Sequence, residues 1–283
     1  MGKTAVAIDL AQRLGTEIVS ADSRQIFKGM PIGTAAPSPD ELQAVKHHFI
    51  ACKELTDYYS AAQFEVDALE VIQEIFTRNQ YAILCGGSMM YIDAVCHGID
   101  DIPTISDDIR TSVASDYAQF GLDEMVSRLQ SLDPEYCRNA DLKNAKRIIH
   151  AIEICLQSGV PYSTLRTGNR KQRPFRIVKI LLNMPREELF ARINRRVDIM
   201  LEQGLLNEAK ALYPLKHLNS LNTVGYKELF AYFDGEMDYH TACERIKKNT
   251  RVYAKKQLTW FARDPQIITR NPTTATEEIL KLL

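Results

Sequence analysis

A chain of 283 residues with 45% hydrophobic, 25% charged and 8% aromatic residues is of ordinary globular composition, which excludes disorder, collagen and coiled coil. Lys plus Arg (35) nearly equals Asp plus Glu (36), so the formal charge of -1 excludes a whole-surface positive field, and a polyanion has to bind at local basic clusters. No apolar run approaches the roughly 18 residues that cross a bilayer, and six cysteines (Cys52, Cys85, Cys96, Cys137, Cys155, Cys243) without a C-x-x-C pair fit a cytoplasmic chain with no disulfide framework and no membrane contact.

Residues 4–14 place Val6, Leu10 and Leu14 at helical spacing, and Gly15 stands where a helix stops. Residues 17–20 (EIVS) read as a buried strand whose carboxyl end delivers Ala21-Asp22-Ser23 to a loop mouth. The next stretch, 29–39, holds Gly29, Pro31, Gly33, Pro37 and Pro39 and is too punctuated for regular structure. His48-Phe49-Ile50 offers a second strand. Ser60 and Gln63 form a capping box that opens a helix with Phe64, Ala68, Val71, Ile72 and Ile75 on one face. Tyr81 to Cys85 is a further apolar strand, broken by Gly86-Gly87-Ser88 and followed by a helix over Met89 to Cys96. Short apolar strands alternating with helices predict a parallel α/β sheet covered on both faces.

From residue 104 the strands stop. Helical segments are predicted at Asp107 to Phe120, Asp123 to Leu132 and Leu142 to Gln157, ahead of a basic stretch from Arg166 to Arg176. Ile177 to Leu182 restores a strand, Pro185 to Leu212 and His240 to Phe261 read as long amphipathic helices, and Gln266 to Thr269 is a last short strand. The division that follows is an α/β core over 1–103, a helical insertion over 104–174 and a second part of the core over 175–283.

Gly2-Lys3-Thr4 before a helix has the form of the tail of a phosphate-binding loop, in which backbone N–H groups, a lysine and a hydroxyl surround phosphate and magnesium. On its own a bare G-K-T is more often a solvated terminus, so its context has to decide. Asp22, at a strand end, could accept a proton or simply close a turn. Gly86-Gly87-Ser88 offers donors at a helix start, or a plain turn. On the first long helix Arg196 borders the apolar stripe of Leu189, Ile193, Val197, Met200 and Leu201, placed to grip a phosphate as a forked donor or to lie in solvent. Arg245, Lys248, Arg251 and Lys255 form a basic stripe opposite Ile246, Tyr253, Leu258 and Phe261. With Arg166, Arg170, Lys171, Arg173 and Arg176 it could hold a nucleic-acid backbone.

Six segments in order resemble the tRNA dimethylallyltransferase (tRNA isopentenyltransferase) family: EIVSADSRQIFKGMPIGTAAP (17–37), HHF with YSAAQFEVDA (47–68), CGGSMMYIDAVCHG (85–98), RINRRVDIMLEQGLLNEAKAL (192–212), TVGYKEL (223–229) and TRVYAKKQLTWF (250–261). The resemblance implies a P-loop-type parallel sheet flanked by helices with an inserted helical subdomain. It implies transfer of a dimethylallyl group from its diphosphate to the exocyclic amine of the adenosine 3′ of the tRNA anticodon, with Mg2+. By the same resemblance Gly2, Lys3, Thr4 and Arg196 match diphosphate ligands, Thr4 and Ser88 match the magnesium ligands, and Asp22 matches the general base. Ser88 stands where the family usually has Thr. Asp22, Ser23, Arg24 and Gln25 match contacts to the target adenosine and its neighbours, as do Arg110, Lys146, Arg147, Ile148, Ile149 and His150. So do Asn222, Thr223, Val224, Gly225, Tyr226 and Lys227.

The front departs from the family pattern, because the first strand and half of the P-loop are missing from this chain. A catalytically impaired tRNA-binding paralogue and a nucleotide-kinase-like phosphotransferase are the alternatives to a working prenyltransferase, and a monomer is expected. Extending the chain by a short apolar strand and a glycine-rich loop is expected to raise both its melting temperature and its prenylation rate; no gain in either would refute this expectation.

Overall fold

The computed structural model describes residues 2–283. The chain divides into two compact units: one combines the residues up to Cys96 with Arg173–Leu283, the other is His97–Gln172.

In the first unit, helix α1 (Lys3–Leu14) buries Val6, Ala7, Leu10 and Ala11 and ends at Gly15, whose left-handed backbone (φ 62°) returns its N–H to the last helical carbonyls. Strand β1 (Ile18–Ala21) is buried along its whole length. Helix α2 (Pro39–Ala44) starts at a Ser38–Glu41 capping box, and β2 is only two residues, His47–His48. Phe49 takes φ 63° and turns the chain away, so the strand expected over 48–50 is shorter and one residue earlier. Helix α3 (Ala61–Phe76) opens with the Ser60–Gln63 capping box and buries Phe64, Ala68, Ile72 and Ile75 as expected. Strand β3 (Ile83–Gly86) and helix α4 (Met89–His97) follow.

The second unit is helical. Helix α5 (Asp107–Leu132) is interrupted at Gly121 (φ 78°), so it behaves as the two expected segments joined end to end. Helices α6 (Pro134–Asn139), α7 (Ala145–Ser158) and α8 (Tyr162–Leu165) complete it. Val113, Met125, Leu129, Cys137, Ile148, Ala151, Ile152 and Cys155 form its core. The buried Asp133 carboxylate caps α6 at Tyr136 and receives both the N–H and the hydroxyl of Ser163, fastening α8.

The first unit resumes with β4 (Ile180–Leu182) and α9 (Arg186–Glu202). The single helix expected over 185–212 is broken at Gly204 (φ 101°), after which α10 (Leu205–Leu212) runs on. Helix α11 (Tyr226–Phe233) lies within 213–238, where the apolar periodicity predicts no helix. Helix α12 (Tyr239–Phe261), β5 (Ile268–Arg270) and α13 (Ala275–Leu280) end the chain.

All strand pairs are parallel. The strands form two sheets, ordered β2-β1-β3 and β4-β5. Val6 and Leu10 of α1 pack with Ala275 and Ile279 of α13, and Ile83 of β3 and Ile180 and Leu182 of β4 join the same apolar cluster. Arg173, read from the sequence as part of an exposed basic stretch, is instead buried. Its guanidinium pairs with Glu65 at 2.7 Å and donates to the carbonyls of Ala94 and Val95 at the end of α4, with both charged side chains under a tenth exposed. Removing either partner strands a buried charge at a cost of about 3–5 kcal/mol.

At the amino ends of the strands, Glu17 is 16% exposed and receives His48 at 2.6 Å, Arg78 at 2.7 Å and Lys46 at 3.1 Å. Burial alone would raise its pKa, but these bonds outweigh it and hold the carboxyl at about 2 instead of 4.5. A depressed carboxylate stabilises the fold above its unfolded pKa and loses that contribution as pH falls toward the folded value. Glu17→Gln is therefore expected to cost about 2 kcal/mol at neutral pH, less than the full shift implies because Arg78 and Lys46 are solvated. Urea melts of both proteins at a series of pH values should show the difference closing between pH 4.5 and about 2.

Candidate active site

Strands β1 and β3 end side by side, with Ala21 opposite Gly86. A Cβ at position 86 would lie 2.1 Å from the Ala21 carbonyl oxygen, so only glycine permits this approach. The two following loops are thereby stitched together. The Ser88 N–H donates to Ala21 O (3.1 Å), Ser23 N–H donates to Ser88 Oγ (2.8 Å), and that hydroxyl donates to Ser23 Oγ (3.0 Å). Ser88 is thus a buried organiser of the loop mouth as well as the first residue before α4.

Asp22 emerges directly from β1. Its Oδ1 accepts the N–H groups of Arg24 (2.9 Å) and Gln25 (3.3 Å), which is the turn-closing role weighed from the sequence. Its Oδ2 takes no hydrogen bond from the described residues. The carboxylate is therefore oriented through one oxygen and open at the other.

Two guanidinium groups approach this edge. Arg24 donates to the carbonyls of Asn219 (2.8 Å), Ser220 (2.9 Å) and Asn222 (3.5 Å). Burial draws its pKa down, against the opposing pull of Tyr91, Asp22 and Tyr253. Arg196 of α9 donates to Ala35 O (3.3 Å), and crowding by protein likewise lowers its pKa while Asp22 and Glu41 act the other way. Gln25 Nε2 donates to the carbonyls of Thr34 and Ala35, both at 3.1 Å. Burial pushes the Cys85 thiol up, with Lys3 opposing and Asp22 adding to the rise. Asp22 and Ser88 thus lie at the carboxyl edge of the β1–β3 pair, where open α/β sheets bind ligands, and Arg196 reaches the Ala35 carbonyl that also accepts from Gln25. Thr4 and Gly2 flank Lys3 at the start of α1.

Helix α12 closes one side. Gln257 Nε2 (2.6 Å) and the Tyr253 hydroxyl (3.2 Å) both donate to Gly87 O. Periodicity placed Tyr253 among the apolar residues opposite the basic stripe, but it is 41% exposed and its hydroxyl serves the turn. The stripe itself is altered too, since Arg251 is drawn onto Asn194 Oδ1 at 2.5 Å. Neither Tyr253 nor Gln257 stands out as a site residue in the sequence; their i,i+4 spacing and their place in the family-like segment 250–261 are the signals that point to them.

The residues matched to tRNA contacts are unequal. Asn222 and Lys227 are exposed and Thr223 and Val224 half-buried, whereas Gly225 is buried and Tyr226 is wholly so. The Tyr226 side chain is therefore unavailable to a nucleic acid and is a core element. In the helical unit Lys146, Arg147 and His150 are exposed on α7, Ile149 is half-buried, and Arg110 donates to Ile105 O (3.4 Å). Ile148 is wholly buried and belongs to the core of that unit, so its side chain is likewise removed from the contact surface.

Residues 25–264 match the family described as IPP transferase. The chain is 53% identical over 277 residues to tRNA dimethylallyltransferase 1 of Phocaeicola vulgatus, covering 98% of this chain and 92% of that protein. The crystal structure of the full-length tRNA isopentenylpyrophosphate transferase from Bacillus halodurans superposes with a TM-score of 0.72 at 35% identity, covering 99% of this chain and 91% of that one. The corresponding Staphylococcus epidermidis structure gives 0.70 at 30% identity, covering 99% and 94%. The match over most of the chain, the identity to relatives of similar length and the shared α/β architecture agree: the chain belongs to the IPP transferase family.

Proposed function

We propose that this chain transfers a dimethylallyl group from dimethylallyl diphosphate to the exocyclic amine of the adenosine 3′ of the anticodon in tRNA, releasing diphosphate. The observation that carries the reading is the Asp22 carboxylate, pinned through Oδ1 and open at Oδ2, beside a loop whose Ala35 carbonyl holds both Gln25 and the Arg196 guanidinium. An adenine amine is a weak nucleophile because its lone pair is shared with the ring. Asp22 orients it and takes its proton as the nitrogen–carbon bond forms and the carbon–oxygen bond breaks toward diphosphate. The charge that builds on the leaving group is met by Lys3 and Arg196. Among the described residues Arg196 is held by a backbone carbonyl and makes no ion pair, although Asp22 and Glu41 lie within its field.

The Thr4 and Ser88 hydroxyls and the open Asp22 oxygen are hard oxygen donors of the kind magnesium takes together with phosphate oxygens and water. Thr4 and Ser88 would hold Mg2+, which when bound supplies charge neutralisation to the diphosphate. The adenosine has to leave its stack to be reached, at a cost of about a few kcal/mol that is smaller in a single-stranded loop. In the helical unit the exposed Lys146, Arg147 and His150 supply basic side chains suited to an RNA backbone; in the first unit Asn222 and Lys227 are likewise exposed.

Incubating the protein with labelled dimethylallyl diphosphate and undermodified tRNA tests the reading: label in tRNA is expected, and ATP turnover or tRNA retention without chemistry overturns it. Asp22→Asn keeps an acceptor for the Arg24 and Gln25 N–H groups but loses the proton acceptor, so kcat should fall about 10²- to 10⁴-fold with an unchanged melting temperature. Arg196→Gln should lower kcat/KM for dimethylallyl diphosphate by about 10²-fold while tRNA affinity, measured by filter binding, stays within about two-fold.

A further inference from the structure

The carboxylate of Glu208 on α10 is a group the proposed mechanism does not use, yet it closes three hydrogen bonds at once. Its Oε2 accepts the Ile32 N–H at 2.9 Å, and its Oε1 accepts the Gly33 N–H at 2.7 Å and the Tyr226 hydroxyl at 2.6 Å. Tyr226 is wholly buried, and burial followed by the bond to Glu208 raises its pKa, so the hydroxyl stays a donor. A Cβ on Gly33 would lie 2.4 Å from the Tyr226 ring, which shows how closely the loop is pressed against this clamp. The carbonyls just beyond, Thr34 O and Ala35 O, are those that hold Gln25 and Arg196. Ala35 itself is kept at φ 48°, a conformation that a non-glycine residue adopts only when its surroundings fix it.

We infer that Glu208 is a positioning residue for prenyl transfer: with Tyr226 it locks residues 30–36 so that Ala35 O aims the Arg196 guanidinium at the diphosphate. The inference rests on the proposed role of Arg196. The clamp acts through charge-assisted bonds to backbone N–H groups, so its chemistry cannot be copied by an amide. A Gln at 208 has one acceptor oxygen and turns an NH2 toward one of the two N–H donors. Tyr226→Phe removes a single bond and keeps the buried ring.

The test compares wild type, Glu208→Gln, Tyr226→Phe, Arg196→Gln and the Glu208→Gln/Arg196→Gln double variant for kcat, for KM of each substrate, and for calorimetric affinity for inorganic diphosphate. Glu208→Gln is expected to lower kcat/KM for dimethylallyl diphosphate by about 10- to 100-fold and to weaken diphosphate binding, with KM for tRNA within about two-fold. Tyr226→Phe should do the same more weakly, with a modest drop in melting temperature from the lost buried hydrogen bond. Adding Glu208→Gln to Arg196→Gln should cost little more, because both act on one group. Unchanged kinetics and diphosphate affinity in the single variants, or full additivity with Arg196→Gln, overturn the inference. If Glu208→Gln does not fold, Tyr226→Phe decides by the same criteria. Diphosphate affinity scores the clamp independently of turnover: a wild type that binds diphosphate through it but never labels tRNA defeats the functional reading alone.

Discussion

The site depends on how closely two parallel strands can run at their carboxyl ends. Because position 86 carries no side chain, the Ala21 carbonyl can accept the Ser88 N–H, and the Ser88 hydroxyl can then hold Ser23. That chain of contacts fixes where Asp22 leaves β1. A methyl group at this point would push the strands apart and release the aspartate from its orientation, however well the rest of the core packed.

Around that edge the protein separates charges that support the fold from charges left free to act. Arg173 with Glu65 and Lys179 with Asp264 are ion pairs with largely buried partners, and their positive charge is cancelled in place. Arg24 and Arg196 rest on backbone carbonyls. A carbonyl orients a guanidinium without forming an ion pair with it. The same economy holds for Asp22, whose one engaged oxygen fixes direction while the other remains open.

The parts of this arrangement that were legible in the sequence have local causes. The capping box at Ser60 and Gln63, the stop at Gly15 and the polar cluster after a β-branched strand each state their structure within a few residues, and the ordered motifs tied them to a family. What was not legible depends on partners far along the chain. The break at Gly204 was hidden because the apolar periodicity continues across it. Tyr226 was read as a surface contact, since its partner Glu208 lies on another helix and nothing nearby marks the ring as buried. Arg173 sits in a run of basic residues, and only the fold shows that it faces Glu65. The single sheet expected from alternation is resolved into two, joined through side chains of α1 and α13 instead of backbone bonds.

The position of Arg173 has a further consequence. The chain leaves the first unit just after Ala94 and Val95 and comes back at Arg173, whose guanidinium grips the carbonyls of those two residues. Departure and return are therefore buckled to each other inside the catalytic unit, independently of what lies between. Such an anchorage lets the length and charge of the intervening helical segment vary while the point of departure and return stays fixed.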